Sequence, residues 1–138
     1  MSYTTKSSMA AFAALVIVYG AYFSWAWPSG HRAPDVFVHM IGAAILLTVI
    51  VIALEVAIVV NAFRTREPLG RIDERDAIIG LRSARNGYYT LIAMFWCVPF
   101  VALAGASPVL LANLCLGMLV VAEAVHFGSR MVYDSLGA

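Results

Sequence analysis

Two carboxylates, Glu55 and Glu123, lie inside long apolar stretches where an acid is costly to keep. At the centre of a membrane helix a charged carboxylate costs on the order of 3 kcal/mol, so such a residue needs a partner or a function. Each stands about two turns before a basic residue, Arg64 and Arg130 respectively, which predicts a similar depth for both. Potential partners follow at helical spacing. Arg82, Arg85 and Tyr89 recur at steps of three and four and share one helical face, with Asn86 and Tyr88 beside it. Glu123, His126, Phe127 and Arg130 form a second stripe. The expected constellation is a polar cluster of Glu55, Glu123, His126, Arg82, Arg85 and Tyr89, in which guanidinium groups satisfy carboxylates near the water boundary. Three uses remain open for it: a structural lock on helix order, an ion or proton site, or a contact for a ligand or partner.

Other chemistries have less support. Glu123 and His126 make the Glu-x-x-His step of di-iron bundles, but three residues after Glu55 stands Ile58, so no second copy exists and no metal is expected. His39 and His126 fall near opposite ends of their helices and His31 in a connection, which argues against haem held by two histidines. Cys97 and Cys115 have no zinc spacing; they read as small buried thiols, or as a disulfide if their helices bring them to one depth. No phosphate-binding glycine loop, nucleophile elbow or zinc-protease motif occurs, so neither enzymatic chemistry nor a cofactor is expected.

The elements that must carry these residues are membrane helices. The 138-residue chain is 62% apolar and only 12% charged, with a mean hydropathy of +0.87. A water-soluble domain carries about 25% charged residues, so this chain has too little polar surface to cover a globule. The net charge of +1 argues against direct nucleic-acid binding, which would need a basic face. Four apolar runs, at about 9–27, 36–63, 88–104 and 108–127, approach the 20 residues needed to cross a bilayer. Backbone groups in lipid must be satisfied within the segment, so these runs are expected to be helices. The fold class is therefore an all-α membrane protein, a single domain over 1–138 of two helical hairpins. The first run is too long, and too aromatic at its end, for a cleaved secretory signal.

Punctuation agrees. Pro28, Gly30 and Pro34 interrupt the chain after the first run, and Asp35 is a candidate cap for the second. Gly105, Ser107 and Pro108 predict a tight turn with Ser107 as cap and Pro108 at the first helical position. Pro99 predicts a kink within the third helix. Arg64, Arg66, Arg71, Arg75, Arg82 and Arg85 crowd the connection between the hairpins, with Lys6 before the first helix and Arg130 after the fourth; the other connections hold only Arg32. The positive-inside rule then places both termini and the central connection in the cytoplasm. Trp25, Trp27 and Trp96 fall toward the outer interface.

The segment 64–87 is the most distinctive. Asp73, Glu74 and Asp76 stand where acids favour a helix N-terminus, with Arg82 and Arg85 following them, so the third helix is expected over 73–104. At 1.5 Å per residue that is about 48 Å, well beyond a bilayer core, and predicts a charged cytoplasmic elbow. The run Asp73-Glu74-Arg75-Asp76, followed by Ile78, Ile79, Arg82, Arg85, Tyr88 and Tyr89, resembles a family of small bacterial and archaeal membrane proteins of unknown function. That family carries a D-E-R-D-type motif between two transmembrane hairpins. The likeness is strongest over 72–91 and extends through the fourth helix to Phe127-Gly128-Ser129-Arg130. The resemblance implies a four-helix membrane protein, sometimes encoded beside a small helix-turn-helix regulator, and implies no reaction, ligand or catalytic residue. A duplication is also conceivable, since an offset of 68 places Glu55 on Glu123 and Asn61 on Ser129.

Two functions follow from these readings. In one, a regulatory or scaffold protein of the bacterial inner membrane binds a cytoplasmic partner, a helix-turn-helix regulator if the resemblance holds, through Asp73, Glu74, Arg75 and Asp76. In the other, a small transporter, working as a homodimer, couples protons or ions through Glu55 and Glu123. Efflux proteins of this size carry their glutamate on the first helix, which here has no acid.

Overall fold

The computed structural model describes residues 3–26, 33–65 and 74–136. Those residues form five helices: α1 (Tyr3–Ala26), α2 (Ala33–Thr65), α3 (Glu74–Phe95), α4 (Cys97–Leu103) and α5 (Pro108–Leu136). Four segments are long and apolar enough to cross a membrane: Lys6–Ala26, Pro34–Arg64, Glu74–Leu103 and Pro108–Leu136. The all-helical class expected from the sequence is present, with four segments long and apolar enough to serve as its expected spans.

The third span is not continuous. It breaks at Trp96, between α3 and α4, four residues before Phe100 and one turn ahead of Pro99. Proline has no N–H to offer the carbonyl of Phe95, and its ring crowds that carbonyl, so the ladder fails there. The turn that follows is closely determined. Gly105 takes φ +83, its N–H bonds the Ala102 carbonyl at 3.0 Å, and the Ala106 N–H bonds the Val101 carbonyl at 3.3 Å. These are the two bonds of a Schellman cap, which needs a left-handed residue that glycine supplies without strain. Ser107 then accepts the Leu110 N–H through its hydroxyl at 3.2 Å, with Pro108 opening α5 as predicted.

Both ends of the apolar pattern understate the helices. α1 starts by Tyr3, six residues before the expected boundary, because its polar first turns are packed: Ser8 is buried and Ser7 bonds across to α2. α5 continues nine residues past Phe127 for the same reason, its last turns lying along α3. At α2, Pro34 and Asp35 are inside the first helical turn and not ahead of it; a first-turn proline costs no bond there, since that N–H has no partner in a helix.

The main helix contacts run in a row, α2 against α1, α1 against α5 and α5 against α3, with the short α4 resting on α5 and α3. α1 is the most enclosed. Leu15, Tyr19 and Tyr22 form its core, packed by Met40, Ala43 and Leu47 of α2 on one side and Leu116, Val120, Ala124 and Phe127 of α5 on the other. α2 lies at one edge and leaves Val38, Ile45, Val49, Ile52 and Val56 exposed along its length. In water such a face would be untenable; in a bilayer it is a lipid-facing surface.

Candidate functional site

Side-chain contacts fix how the hairpins align. Near one end, the Ser7 hydroxyl of α1 donates to the Glu55 carboxylate of α2. The Asn86 amide of α3 donates to Ser129 Oγ at 3.2 Å and to the Tyr133 hydroxyl at 3.0 Å, both on α5. Toward the other end, the Tyr22 hydroxyl of α1 donates to Asn113 Oδ1 of α5 at 2.5 Å, and the Trp25 ring stacks on His39 of α2 at 4.0 Å. The start of α1, the end of α2, the start of α3 and the end of α5 therefore share one end of the molecule. Lys6, Arg64, Arg75, Arg82, Arg85 and Arg130 all gather there.

The six residues expected to cluster occupy three places. Glu55 is half-buried on α2 and holds Ser7. Glu123 meets His126 on its own helix at 3.4 Å, with 54% of the Glu123 side chain exposed and 28% of His126. Arg82 and Arg85 are exposed on α3 and make no hydrogen bond or ion pair among the described residues. Tyr89 is exposed beside the ring of Tyr88 at 5.8 Å. Glu55 and Glu123 belong to different hairpins, on helices that α1 separates. A shared ion route through both would have to pass that helix.

The junction that does form between α3 and α5 is built from residues given a lesser part in the sequence. Ser83 is fully buried, with its hydroxyl turned back to the Gly80 carbonyl at 2.9 Å. Gly87 lies so close to α5 that a β-carbon on it would stand 3.0 Å from the Ala122 carbonyl oxygen and 3.0 Å from His126 Cβ. Small residues let membrane helices approach in this way, and the polar side chains beside them hydrogen-bond across. The signal was present as Ser83, Asn86, Gly87 and Thr90 at steps of three and four, small and polar on one stripe. It was masked by the more conspicuous arginines on the next stripe.

The start of α3 is not a free elbow along its whole length. Pairing Asn86 with Ser129 in an antiparallel helix pair places Ile79, seven residues earlier, level with Leu136, seven residues later. Ile79 is accordingly 2% exposed. Only the first turn, with Glu74, Arg75 and Asp76, stands beyond Leu136. These three side chains make no hydrogen bond or ion pair among the described residues. Asp73, with Arg66 and Arg71, lies outside the described residues.

Cys97 is exposed and Cys115 half-buried, and both thiols are free, so Cys97 departs from the expected buried thiol. His39 sits against the Asp35 carbonyl at 2.7 Å as well as the Trp25 ring, which accounts for it without a metal. Among the described residues no group of three His, Cys, Asp or Glu side chains could hold a metal ion. No protein-family model, curated protein or solved structure matches the chain at a significant level.

Proposed function

We propose that this protein is a multi-pass component of a bacterial inner membrane that binds a cytoplasmic partner protein through the charged first turn of α3 and the residues before it. The observation that carries this reading is the position of Glu74, Arg75 and Asp76. They extend past the last described turn of α5, carry both signs of charge, and are engaged by nothing else among the described residues. Charged residues of both signs on a protruding helix end suit a specific polar interface, because complementary charges fix orientation and reject wrong partners.

The orientation rests on the charges. Lys6, Arg64, Arg75, Arg82, Arg85 and Arg130 lie at one end, joined by Arg66 and Arg71 in sequence, while the connection at the other end contributes Arg32. By the positive-inside rule the crowded end is cytoplasmic. A helix-turn-helix regulator, the neighbour implied by the resemblance of residues 72–91, is the first partner to try. The test is a pull-down in mild detergent with full-length protein, comparing the native chain with a variant carrying Asp73→Asn, Glu74→Gln, Arg75→Gln and Asp76→Asn. A partner recovered with the first and lost with the second supports the reading. Equal recovery with both sinks it.

A further inference from the structure

A shallow groove of about 340 Å³ runs along α5, lined by Val125, Gly128, Ser129, Val132 and Tyr133. Its surface is mostly apolar and open to the outside of the helix row, at the end where the basic residues gather. Asn86 of α3 stands beside it, its amide reaching both Ser129 and Tyr133. Arg82 and Tyr89 stand four residues before and three after Asn86, so they border its stripe on α3 on the side away from Gly87, and Arg85 is one turn from Arg82. Both arginines are exposed and have no partner among the described residues. Tyr88 and Tyr89, 60% and 61% exposed, border them on the side toward the centre of the span.

We propose that this groove and the two arginines form a binding site for an anionic phospholipid, with one acyl chain lying along Val125–Val132 and the phosphate held by Arg82 and Arg85. The argument is complementarity of both kinds in one place. An apolar groove open to lipid takes a hydrocarbon chain, and guanidinium groups without an internal anion take a phosphate, often through paired N–H···O bonds. The antiparallel register puts Arg82 level with Tyr133, at the headgroup end of the groove, since four residues before Asn86 matches four after Ser129. Exposed tyrosines just inside that level suit the interfacial zone, where their rings meet hydrocarbon and their hydroxyls meet headgroups. Basic pockets between membrane helices hold anionic headgroups by the same physics. A protein partner is a poorer occupant, because the groove is apolar and faces along the span.

The site goes beyond the partner-binding reading and uses different residues. Native mass spectrometry of the full-length protein in detergent, titrated with phosphatidylglycerol or phosphatidylcholine of matched chains, tests it. At about fivefold per arginine, phosphatidylglycerol should be preferred on the order of 30-fold. Arg82→Gln with Arg85→Gln should bring it down to the phosphatidylcholine level. Gly128→Leu, with both arginines intact, should also weaken it at least fivefold by filling the groove; a β-carbon there meets nothing within 4 Å, so the variant should fold. Equal binding of the two lipids to the native protein overturns the proposal, and that result needs no variant. Undiminished phosphatidylglycerol binding in either variant does the same, as does its displacement by millimolar inorganic phosphate, which would mark a bare anion site. The variant neutralised at residues 73–76 should bind the lipid as the native chain does, so failure of the partner reading leaves this one standing.

Discussion

Gly87 of α3 and Ala122 of α5 approach so closely that a β-carbon on the glycine would stand 3.0 Å from the alanine carbonyl oxygen. This contact sets the separation of the most extensive helix pair in the protein. Gly87→Leu should therefore force α3 off α5 and strand the Asn86 bonds, with a cost of about 3 kcal/mol or more. Thermal unfolding in detergent should show a large drop for Gly87→Leu and little change for Gly80→Leu, whose added β-carbon meets open space.

Asn86 links to both Ser129 and Tyr133. Interhelical hydrogen bonds in membranes average about 0.6 kcal/mol each, so Asn86→Leu should destabilise by roughly 1 kcal/mol. Tyr133→Phe should cost about half as much, and the two should couple in a double-mutant cycle read by reversible unfolding in mixed micelles. Strict additivity would mean that the bond is absent in the membrane.

The two acids within the apolar helices should respond oppositely to removal. Glu55 joins α2 to α1 through Ser7, so Glu55→Leu should loosen the first hairpin by about 1 kcal/mol. Glu123 is half exposed and, among the described residues, meets only His126, on its own helix. Glu123→Leu should be neutral or stabilising, because it removes an acid whose insertion costs up to about 3 kcal/mol. Unfolding of the two variants side by side checks the order; a Glu123→Leu protein weaker than Glu55→Leu would contradict it.

Thiol labelling tests the topology. In a background of Cys97→Ser and Cys115→Ser, cysteines at Lys6 and Arg130 should react with an impermeant reagent from the same face of the membrane. A cysteine at Ala106, in the turn between α4 and α5, should react from the opposite face. Labelling of positions 6 and 130 from different faces would break the hairpin arrangement.

At the other end of the molecule the Tyr22 hydroxyl of α1 donates to Asn113 of α5 at 2.5 Å. Tyr22→Phe keeps the packing of a buried ring and removes only that bond, so a loss of about 0.6–1.7 kcal/mol is expected. Near-zero change would indicate that Asn113 finds another donor.

Composition and the four long apolar runs already pointed to helices long and apolar enough to cross a membrane, since 12% charged residues leave too little polar surface for a globule of 138. Local sequence also placed the turn at Gly105–Pro108, because its cap and its left-handed residue are properties of neighbouring residues. Pro99 announced a kink in the same way. The length of α1 and α5 could not be read from hydropathy, because Ser7, Ser8 and Tyr133 are helical through contacts with other helices. The polar cluster was a question of the same kind. Helical spacing says which residues share a face, but the face that meets a neighbour depends on the order and rotation of helices in the row. Close approach at Gly87 turned Asn86 toward α5 and left Arg82 and Arg85 on the outside. Tertiary packing, which hydropathy does not encode, decided where the charges ended up.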